Sequence, residues 1–371
     1  MNSAKKILIF RIGQLGDMLV SVPALWTIRD NYPEAHLTLL CDGHIDRDYV
    51  TASDVLEGSG IVDDFIPYHI VDSKPERLAR FVRMLGLMWH LRSVHYDTMV
   101  YLVPSIRSKR QIRRDTLFFH LAGINKFIGI KRFRHLPKKI LGQFMSVVPK
   151  EADLLLERLE KSGIRVPRSR HRRVDVNIGE RERTAVSQWL EKLPPDGGRR
   201  WLALGPGSKM LAKIWPMERY TEVLCHLIEE FDIWPVIFGG REDQQLGQSL
   251  VSYCGRGYVA AGNLDVREAI AAMEKCVFYL GNDMGAMHMA VAAGLKCVAI
   301  FSSRDYPGNW EPYTEGHIVL RTPISCEGCM LLDCIDHKMK CILAITIEKV
   351  LNACREFLTE TNPSLKKQNE I

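Results

Sequence analysis

The sequence predicts two doubly wound α/β domains, each built on a parallel sheet that helices cover. Short, continuous apolar runs recur along the chain, which is typical of strands buried on both faces. Segments of helical length separate these runs, and the alternation begins again near residue 200. A chain of 371 residues is also long for one hydrophobic core and fits two domains of ordinary size.

The first domain is expected to span residues 1–172. Its predicted strands are, in chain order, KKILIFRI, HLTLLCD, DDFIPY, TMVYLV and KFIGI. The charged stretch GIRVPRSRHRR, residues 163–173, is predicted to link this domain to the next.

The second domain is expected to span residues 173–351. The loop EKLPPDGGRR, with its paired prolines and glycines, precedes its first strand. Its predicted strands are WLALGPG, WPVIFGG, CVFYLGND and CVAIFSS, with helices at MERYTEVLCHLIEEF and DVREAIAAMEKC. A C-terminal helix, 352–371, is expected to pack back on the first domain.

Composition places the chain among ordinary globular proteins of the cytosol. Apolar residues make up 46% of it and charged residues 25%. No window reaches the ~18 uninterrupted apolar residues of a membrane-spanning helix. The N-terminal apolar run is too short for a signal peptide, so we expect a cytoplasmic protein whose ten cysteines are mostly reduced.

A basic segment, residues 74–139, carries sixteen Lys or Arg against three acids. Such a segment favours an anionic partner, either a phosphorylated ligand, a nucleic acid or the anionic face of a membrane. No zinc-finger, RRM or similar module accompanies the charge, which disfavours nucleic acid. A merely solvated basic surface is the alternative.

The first strand ends in RIGQLGD, which places Asp17 in a glycine turn before a helix. Ligands of open α/β sheets bind at the carboxyl ends of the strands, so Asp17 is a candidate functional residue. Acids are also favoured at helix N-termini by the dipole, and simple capping is the alternative reading. The turn lacks the close glycine pair of a dinucleotide fingerprint, which disfavours a dehydrogenase.

The most informative stretch of the second half is GNDMGAMHMAVAAG, residues 281–294. A glycine turn at a helix start offers backbone N–H groups to a diphosphate. His288 is expected to donate to a phosphate oxygen, and Asp283 to order the loop or bind a ribose hydroxyl. The alternative is that Asp283 caps the helix and His288 is packed in the core.

Two further strand ends converge on the same region. GPGSKMLAKIWPMERY, residues 205–220, places Ser208 and Lys213 to reach phosphates. FGGREDQQ, residues 238–245, places Glu242 to accept from two ribose hydroxyls. Each residue alone is typical of an ordinary loop, whereas three such strand ends in order indicate a nucleotide site.

These stretches, together with ILIFRIGQLGDMLVSVPALWTIRDNYPEAHLTLL and CEGCMLLDCIDHKMKC, resemble glycosyltransferase family 9, the lipopolysaccharide heptosyltransferases. The resemblance implies a GT-B fold, with two Rossmann-like domains facing each other across a cleft, and inverting transfer without a metal. Asp17 would be the general base. The resemblance implies ADP-heptose as the donor, which would contact Ser208, Lys213, Glu242, Asp283, Gly285 and His288.

The resemblance also implies a lipopolysaccharide-core or lipid-linked saccharide acceptor, bound by the first domain at the cytosolic face of the inner membrane. Gly16, Ser105 and Arg107 are the expected acceptor contacts, although the region around LVPSIRSKR is only faintly like the family. Met284 stands where Thr or Ser is common. There are two alternative functions. One is transfer from another nucleotide-sugar to an O-antigen, capsule or other glycan acceptor, and the other is nucleotide-sugar binding without catalysis.

A cysteine cluster lies near the C-terminus: Cys326, Cys329, Cys334 and Cys341. Four closely spaced cysteines in a cytosolic chain are typical of structural zinc. The spacing between Cys329, Cys334 and Cys341 is unlike that of a zinc site built from two C-x2-C pairs. The alternatives are reduced thiols packed in the core or a redox role. Catalysis is expected to require no cofactor.

Overall fold

The computed structural model describes residues 6–44, 50–70, 77–131, 133–140, 143–335 and 337–360. The chain divides into two compact units. The N-terminal unit comprises the residues up to 137 together with 151–177, and the C-terminal unit comprises 138–150 together with the residues from 178 onward.

The N-terminal unit contains a five-stranded parallel sheet in the order β3-β2-β1-β4-β5. The strands are β1 (Lys6–Phe10), β2 (His36–His44), β3 (Asp64–Ile70), β4 (Thr98–Tyr101) and β5 (Phe127–Ile128). The helices are α1 (Leu15–Asn31), α2 (Ala52–Leu56), α3 (Arg77–Val94), α4 (Lys109–Leu121) and α5 (Glu151–Glu160). Side chains of α3 and α4 share one core with alternate residues of the sheet, because successive strand residues point to opposite faces.

The C-terminal unit contains a six-stranded parallel sheet in the order β11-β10-β9-β6-β7-β8. The strands are β6 (Trp201–Gly205), β7 (Trp234–Ile237), β8 (Tyr258–Val259), β9 (Cys276–Asn282), β10 (Cys297–Phe301) and β11 (Ile318–Arg321). The helices are α6 (Glu180–Leu190), α7 (Met217–Phe231), α8 (Gln244–Cys254), α9 (Val266–Met273), α10 (Gly285–Ala292), α11 (Lys340–Leu343) and α12 (Ile347–Glu360).

The doubly wound prediction is confirmed in both units, and all nine predicted strands form. Strands β8 and β11 were not predicted. The first is only two residues long, and every residue of the second is partly exposed, so neither produces a continuous buried run. The helix that was expected after the glycine turn of residues 281–294 is α10, and it begins at Gly285.

The domain boundaries differ from those expected. The first unit extends to residue 177, and residues 138–150 belong to the second unit. Within that segment, the backbone N–H of Val148 donates to the Pro307 carbonyl, and the Lys150 ammonium donates to the Pro312 carbonyl at 2.6 Å. Specific backbone contacts of this kind leave no compositional signal.

The C-terminal helix was expected to pack back on the first domain, whereas its described part, α12, belongs to the C-terminal unit. Helix α12 contacts α7, β9, β10 and β11, all in the C-terminal unit. Its apolar face, which includes Val350 and Leu358, joins the core of the C-terminal sheet. Residues 361–371, the rest of the predicted helix, lie outside the described residues.

Each sheet reverses its strand order at one point, and the crevice outside such a point is where open α/β sheets bind ligands. In the N-terminal sheet the reversal lies between β1 and β4, whose carboxyl ends lead toward Asp17 and Ser105. In the C-terminal sheet it lies between β6 and β9, which lead toward Ser208 and Asp283. The topology therefore places sequence-predicted site residues at the reversal point of each sheet.

We expect Phe357→Ala in α12 to destabilise the protein by about 3–5 kcal/mol, the usual loss for a buried phenylalanine. Phe357 is buried and packs edge-to-face on Phe278, with ring centroids 5.6 Å apart. The free energy of unfolding would be measured by urea denaturation. Glu356→Ala, at an exposed position on the same helix, is the control. An unchanged transition in Phe357→Ala would contradict the packing of α12.

Candidate active site

The turn between β1 and α1 is built around Gly13. Its φ of 129° is one that residues with side chains rarely adopt, and a Cβ there would lie 2.4 Å from the Asp17 Cβ. The Gly13 N–H donates to Asp42 Oδ1 at 2.9 Å, which anchors the turn to the end of β2. Only glycine at position 13 therefore allows the Asp17 side chain to fold back over the turn.

The two carboxylate oxygens of Asp17 have different environments. Oδ2 accepts from the backbone N–H of Gln14 at 3.0 Å, so Asp17 does cap the start of α1. Oδ1 accepts no hydrogen bond from any residue that the structure describes, and it lies 3.7 Å from Arg11 Nη2. The side chain is 25% exposed. Capping thus uses one oxygen and leaves the other available to a ligand.

The Arg11 side chain is hydrogen-bonded to the backbone carbonyl of Asp17. The guanidinium is fully buried, and its Nε and Nη2 donate to the Asp17 carbonyl at 3.1 and 2.5 Å. Nη1 donates to the Leu102 carbonyl at 2.7 Å, so one cation joins the ends of β1 and β4. A buried guanidinium that is held by backbone carbonyls retains positive charge for the nearby carboxylate.

The Asp17 carboxyl is surrounded by charges of both signs. Burial raises its pKa, the Arg11 charge and the Gln14 N–H lower it, and the carboxylates of Glu151 and Asp42 raise it slightly. The net direction is upward. Asp17 is therefore a stronger base than an ordinary aspartate, while Arg11 limits the rise.

The expected acceptor contacts occupy three different environments. Gly16 lies in the first turn of α1, next to Asp17. Ser105 is buried, and both its N–H and its hydroxyl donate to Glu151 Oε1, at 2.9 and 3.1 Å. Arg107 donates twice to Asp115 Oδ2 and is only 14% exposed. Acceptor binding by these residues stays a prediction, and Ser105 and Arg107 have structural partners of their own.

In the C-terminal unit the loops that are expected to bind the donor meet at Asn282, the last residue of β9, which is fully buried. Its Oδ1 accepts from the Trp215 N–H at 3.1 Å and from the Tyr220 hydroxyl at 2.9 Å. Its Nδ2 donates to the carbonyls of Pro206 and Gly207, at 2.6 and 3.4 Å. One side chain therefore fixes the loop after β6 and the start of α7 relative to the end of β9.

Lys213 lies between two carboxylates. Its ammonium is 2.5 Å from Asp283 Oδ2 and 3.3 Å from Asp305 Oδ2, and Arg304 also pairs with Asp305. Burial lowers the pKa of Lys213, but the two carboxylates outweigh it and the net shift is upward. Burial raises the pKa of Asp283, and Lys213 offsets part of that rise. Sequence reasoning missed Asp305 and Arg304, because they come from the loop after β10, where no motif marks them.

Helix α10 begins at Gly285, one residue after Met284. The Met284 side chain makes no capping hydrogen bond, so it leaves the N–H groups of the first turn to other partners. His288 is buried, and burial together with the Lys213 charge lowers its pKa to about 3. It is therefore neutral near pH 7, with one ring N–H to donate.

The remaining residues that are expected to bind the donor differ in burial and in the hydrogen bonds that they make. Ser208 is half-buried, and its Oγ accepts from the Met210 N–H at 3.1 Å. Glu242 is 54% exposed. Its neighbour Asp243 is buried, accepts from the Gly240 N–H at 3.1 Å, and occupies the space that a Cβ at Gly207 would need. Asp243 thus shapes the loops after β6 and β7, a role that the sequence did not reveal.

The cysteine cluster does not form the zinc site considered from its spacing. Within the described ranges, no group of three or more His, Cys, Asp or Glu side chains is placed to hold a metal ion. Cys341 begins the buried side of α11 and joins the core, and burial raises the pKa of its thiol and that of Cys326. Cys334 and Cys341 are buried, Cys326 and Cys329 are partly exposed, and none of the described cysteines forms a disulfide.

Comparison with known proteins shows which family this chain resembles. Residues 158–340 match the model described as glycosyltransferase family 9 (heptosyltransferase). Lipopolysaccharide heptosyltransferase 2 of Escherichia coli is 24% identical, over 96% of this chain and 99% of its own length. A family 9 glycosyltransferase structure from Veillonella parvula superposes with a TM-score of 0.71 at 21% identity, over 96% of this chain and 98% of that one.

The structure of E. coli ADP-heptose LPS heptosyltransferase II superposes with a TM-score of 0.69 at 21% identity, covering 96% of this chain and 99% of that one. These likenesses confirm the GT-B fold class for the two parallel-sheet units. Together with the family-model match over residues 158–340, they show that the chain is similar to the heptosyltransferases of glycosyltransferase family 9 and support a glycosyltransferase enzyme.

Proposed function

We propose that this enzyme transfers a heptose from ADP-heptose to a lipopolysaccharide-core saccharide, with inversion and with Asp17 as general base. The observation that carries the base assignment is the Asp17 carboxylate itself. It is a partly exposed carboxylate at a strand-order reversal, with one oxygen fixed by Gln14 and the other without a donor among the described residues. The donor and acceptor are taken from the names of the relatives, E. coli ADP-heptose LPS heptosyltransferase II and lipopolysaccharide heptosyltransferase 2.

The proposed step is a single displacement at the anomeric carbon. The acceptor hydroxyl oxygen bonds to that carbon while its proton passes to Asp17 Oδ1. The bond from the anomeric carbon to the diphosphate oxygen breaks on the opposite face, and its electron pair leaves with ADP. A sugar hydroxyl is a poor nucleophile, so a carboxylate within hydrogen-bond reach speeds the attack.

The leaving group would be met by the donor loops of the C-terminal unit. Lys213, Arg304, Asp283 and Asp305 together carry two positive and two negative charges, so this cluster is close to neutral. Much of the attraction for a diphosphate must therefore come from the N–H groups at the start of α10. Lys213 and the neutral His288 would then add directed hydrogen bonds, and the step as written needs no metal ion.

The supporting contacts follow from this scheme. Ser208 and Gly285 would bind phosphate oxygens, Glu242 the ribose hydroxyls, and Gly16, Ser105 and Arg107 the acceptor. We further propose that the enzyme works in the cytoplasm at the inner face of the membrane, where its lipid-linked acceptor is made. No helix in the described parts of the chain is both long and apolar enough to cross a bilayer.

Asp17→Asn tests the base. The change keeps the shape of the side chain and an oxygen for Gln14, so fold and ADP affinity should persist while kcat falls about 10²-fold or more. Product formation would be followed by mass spectrometry, with ADP binding measured by calorimetry. Near-normal turnover would exclude Asp17 as the base. A wild-type protein that binds ADP-heptose but transfers nothing would favour the non-catalytic alternative.

Arg11→Met tests the electrostatic support of that base. Arg11 lowers the pKa of Asp17, so its removal should raise that pKa and move the acidic limb of the kcat–pH profile to higher pH. Arg11→Lys keeps the charge but loses part of the hydrogen-bond fork, so its acidic limb should lie between the two. A lower kcat with an unmoved limb in Arg11→Met would assign Arg11 a purely structural role.

Lys213→Ala and Asp283→Ala test the donor site. Each should weaken ADP-heptose binding by about 1.5–3 kcal/mol, the scale of a lost charge-assisted hydrogen bond. In Lys213→Ala two buried carboxylates also lose their shared cation, so this variant should show the larger effect. Calorimetric titration is the measurement, and Lys275→Ala, an exposed lysine of the same unit, is the control. Unchanged affinity in both variants would place the donor elsewhere.

A further inference from the structure

Helix α3 lies at the surface and has apolar side chains on its inner and its outer side. Leu91 is buried against the sheet. On the opposite side Val82 and Trp89 are 58% and 64% exposed. Apolar side chains gathered on an exposed surface mark an interaction site. The outer side of α3 therefore indicates an apolar partner.

Helix α4 adds cations to the same surface. Its inner side, Ile112 and Phe119, joins the same core as Leu91. Its outer side carries Arg110 and Arg113 in the first turns and then Leu117 and Leu121, which are 60% and 55% exposed. The outer side of α4 therefore combines cations, which are attracted to acidic headgroups, with exposed leucines.

The two helices are neighbours on one face of the sheet. They contact each other, and Arg92 near the end of α3 donates to the Leu121 carbonyl at the end of α4. We call the exposed outer sides of these two neighbouring helices the α3–α4 surface. Residues 81–94 of α3 contain no Asp or Glu, and Asp115 of α4 is buried and paired with Arg107 and Arg114. The surface presents cations and apolar groups without exposed acids on these helices.

We infer that the α3–α4 surface inserts shallowly into an anionic phospholipid bilayer, which deepens the proposed function by assigning the membrane contact to named side chains. Cations are attracted to acidic headgroups, and leucine, valine and tryptophan partition into the interface below them. Neither contribution alone anchors a protein stably, whereas the two together do. Trp89 suits this position because its ring is apolar and its N–H is polar.

The apolar contribution is tested with Val82→Ser/Trp89→Ser in the full chain. Binding to vesicles that contain phosphatidylglycerol should weaken by at least about tenfold at 0.1 M salt. Tyr253→Ser/Ile335→Ser, which removes two still more exposed side chains from the C-terminal unit, should bind as the wild type does. Asp17→Asn should also bind normally, so failure of the catalytic proposal and failure of this inference give different results.

The ionic contribution is tested with Arg110→Ser/Arg113→Ser/Arg114→Ser. Its vesicle binding should be weak at 0.1 M salt, where the Debye length is ~10 Å and the wild type gains most from charge. At 1 M salt it should bind as the wild type does, because screening removes the attraction from both. An unchanged acceptor KM in detergent is expected. A raised KM with normal vesicle binding would instead assign these arginines to acceptor phosphates.

Depth of insertion gives an independent measurement. Brominated lipid should quench part of the fluorescence of the seven tryptophans, and Trp89→Phe should bind vesicles normally while losing that quenching. Two results would overturn the inference. One is equal vesicle binding by Val82→Ser/Trp89→Ser and the wild type. The other is a wild-type dimer that this variant dissociates in light scattering, which would show that a second copy of the chain covers the surface.

Discussion

The candidate donor site depends on one buried amide. Asn282 has two donors and two acceptor positions, and all four are used, by the backbone of Pro206, Gly207 and Trp215 and by the Tyr220 hydroxyl. A buried polar group is stable only when it is satisfied in this way, and a satisfied network is rigid. Because Asp283 follows directly in the chain, the same bonds set where Asp283 and the start of α10 lie.

The charges at the strand-order reversal are arranged differently in the two units. In the N-terminal unit a buried guanidinium, Arg11, lies beneath a carboxylate that has one oxygen without a described donor. In the C-terminal unit the charges of Lys213 and Arg304 are already matched by Asp283 and Asp305. The first arrangement suits accepting a proton. The second suits a ligand that is recognised by position and by backbone amides rather than by net charge.

Sequence reasoning recovered what depends on local pattern. Continuous apolar runs gave the central strands, and the glycine turn after the first run placed Asp17 at a strand end, where the structure has it. The role of Asp17 as a base stays a prediction. Sequence reasoning chose Glu242 for the ribose without seeing that the buried carboxylate of that loop is Asp243. Which of the two adjacent acids is buried depends on Gly207 and Gly239, because the Asp243 side chain occupies the space beside both glycines. Binding of the ribose by Glu242 stays a prediction. Likewise, the cysteine spacing matched zinc, whereas burial of Cys341 is decided by the core around α11 and α12.

The basicity of Asp17 follows from a balance that neither the sequence nor any single contact determines. Burial alone would leave the carboxyl protonated over more of the neutral range, and a protonated acid accepts no proton. Full pairing with Arg11 would keep it ionised but make it a weak base. At 3.7 Å the guanidinium is beyond hydrogen-bond distance of Oδ1, while its short bonds go to the Asp17 carbonyl instead. The cation therefore stabilises the ionised form from a distance and leaves Oδ1, the oxygen proposed to receive the proton, without a competing donor from Arg11.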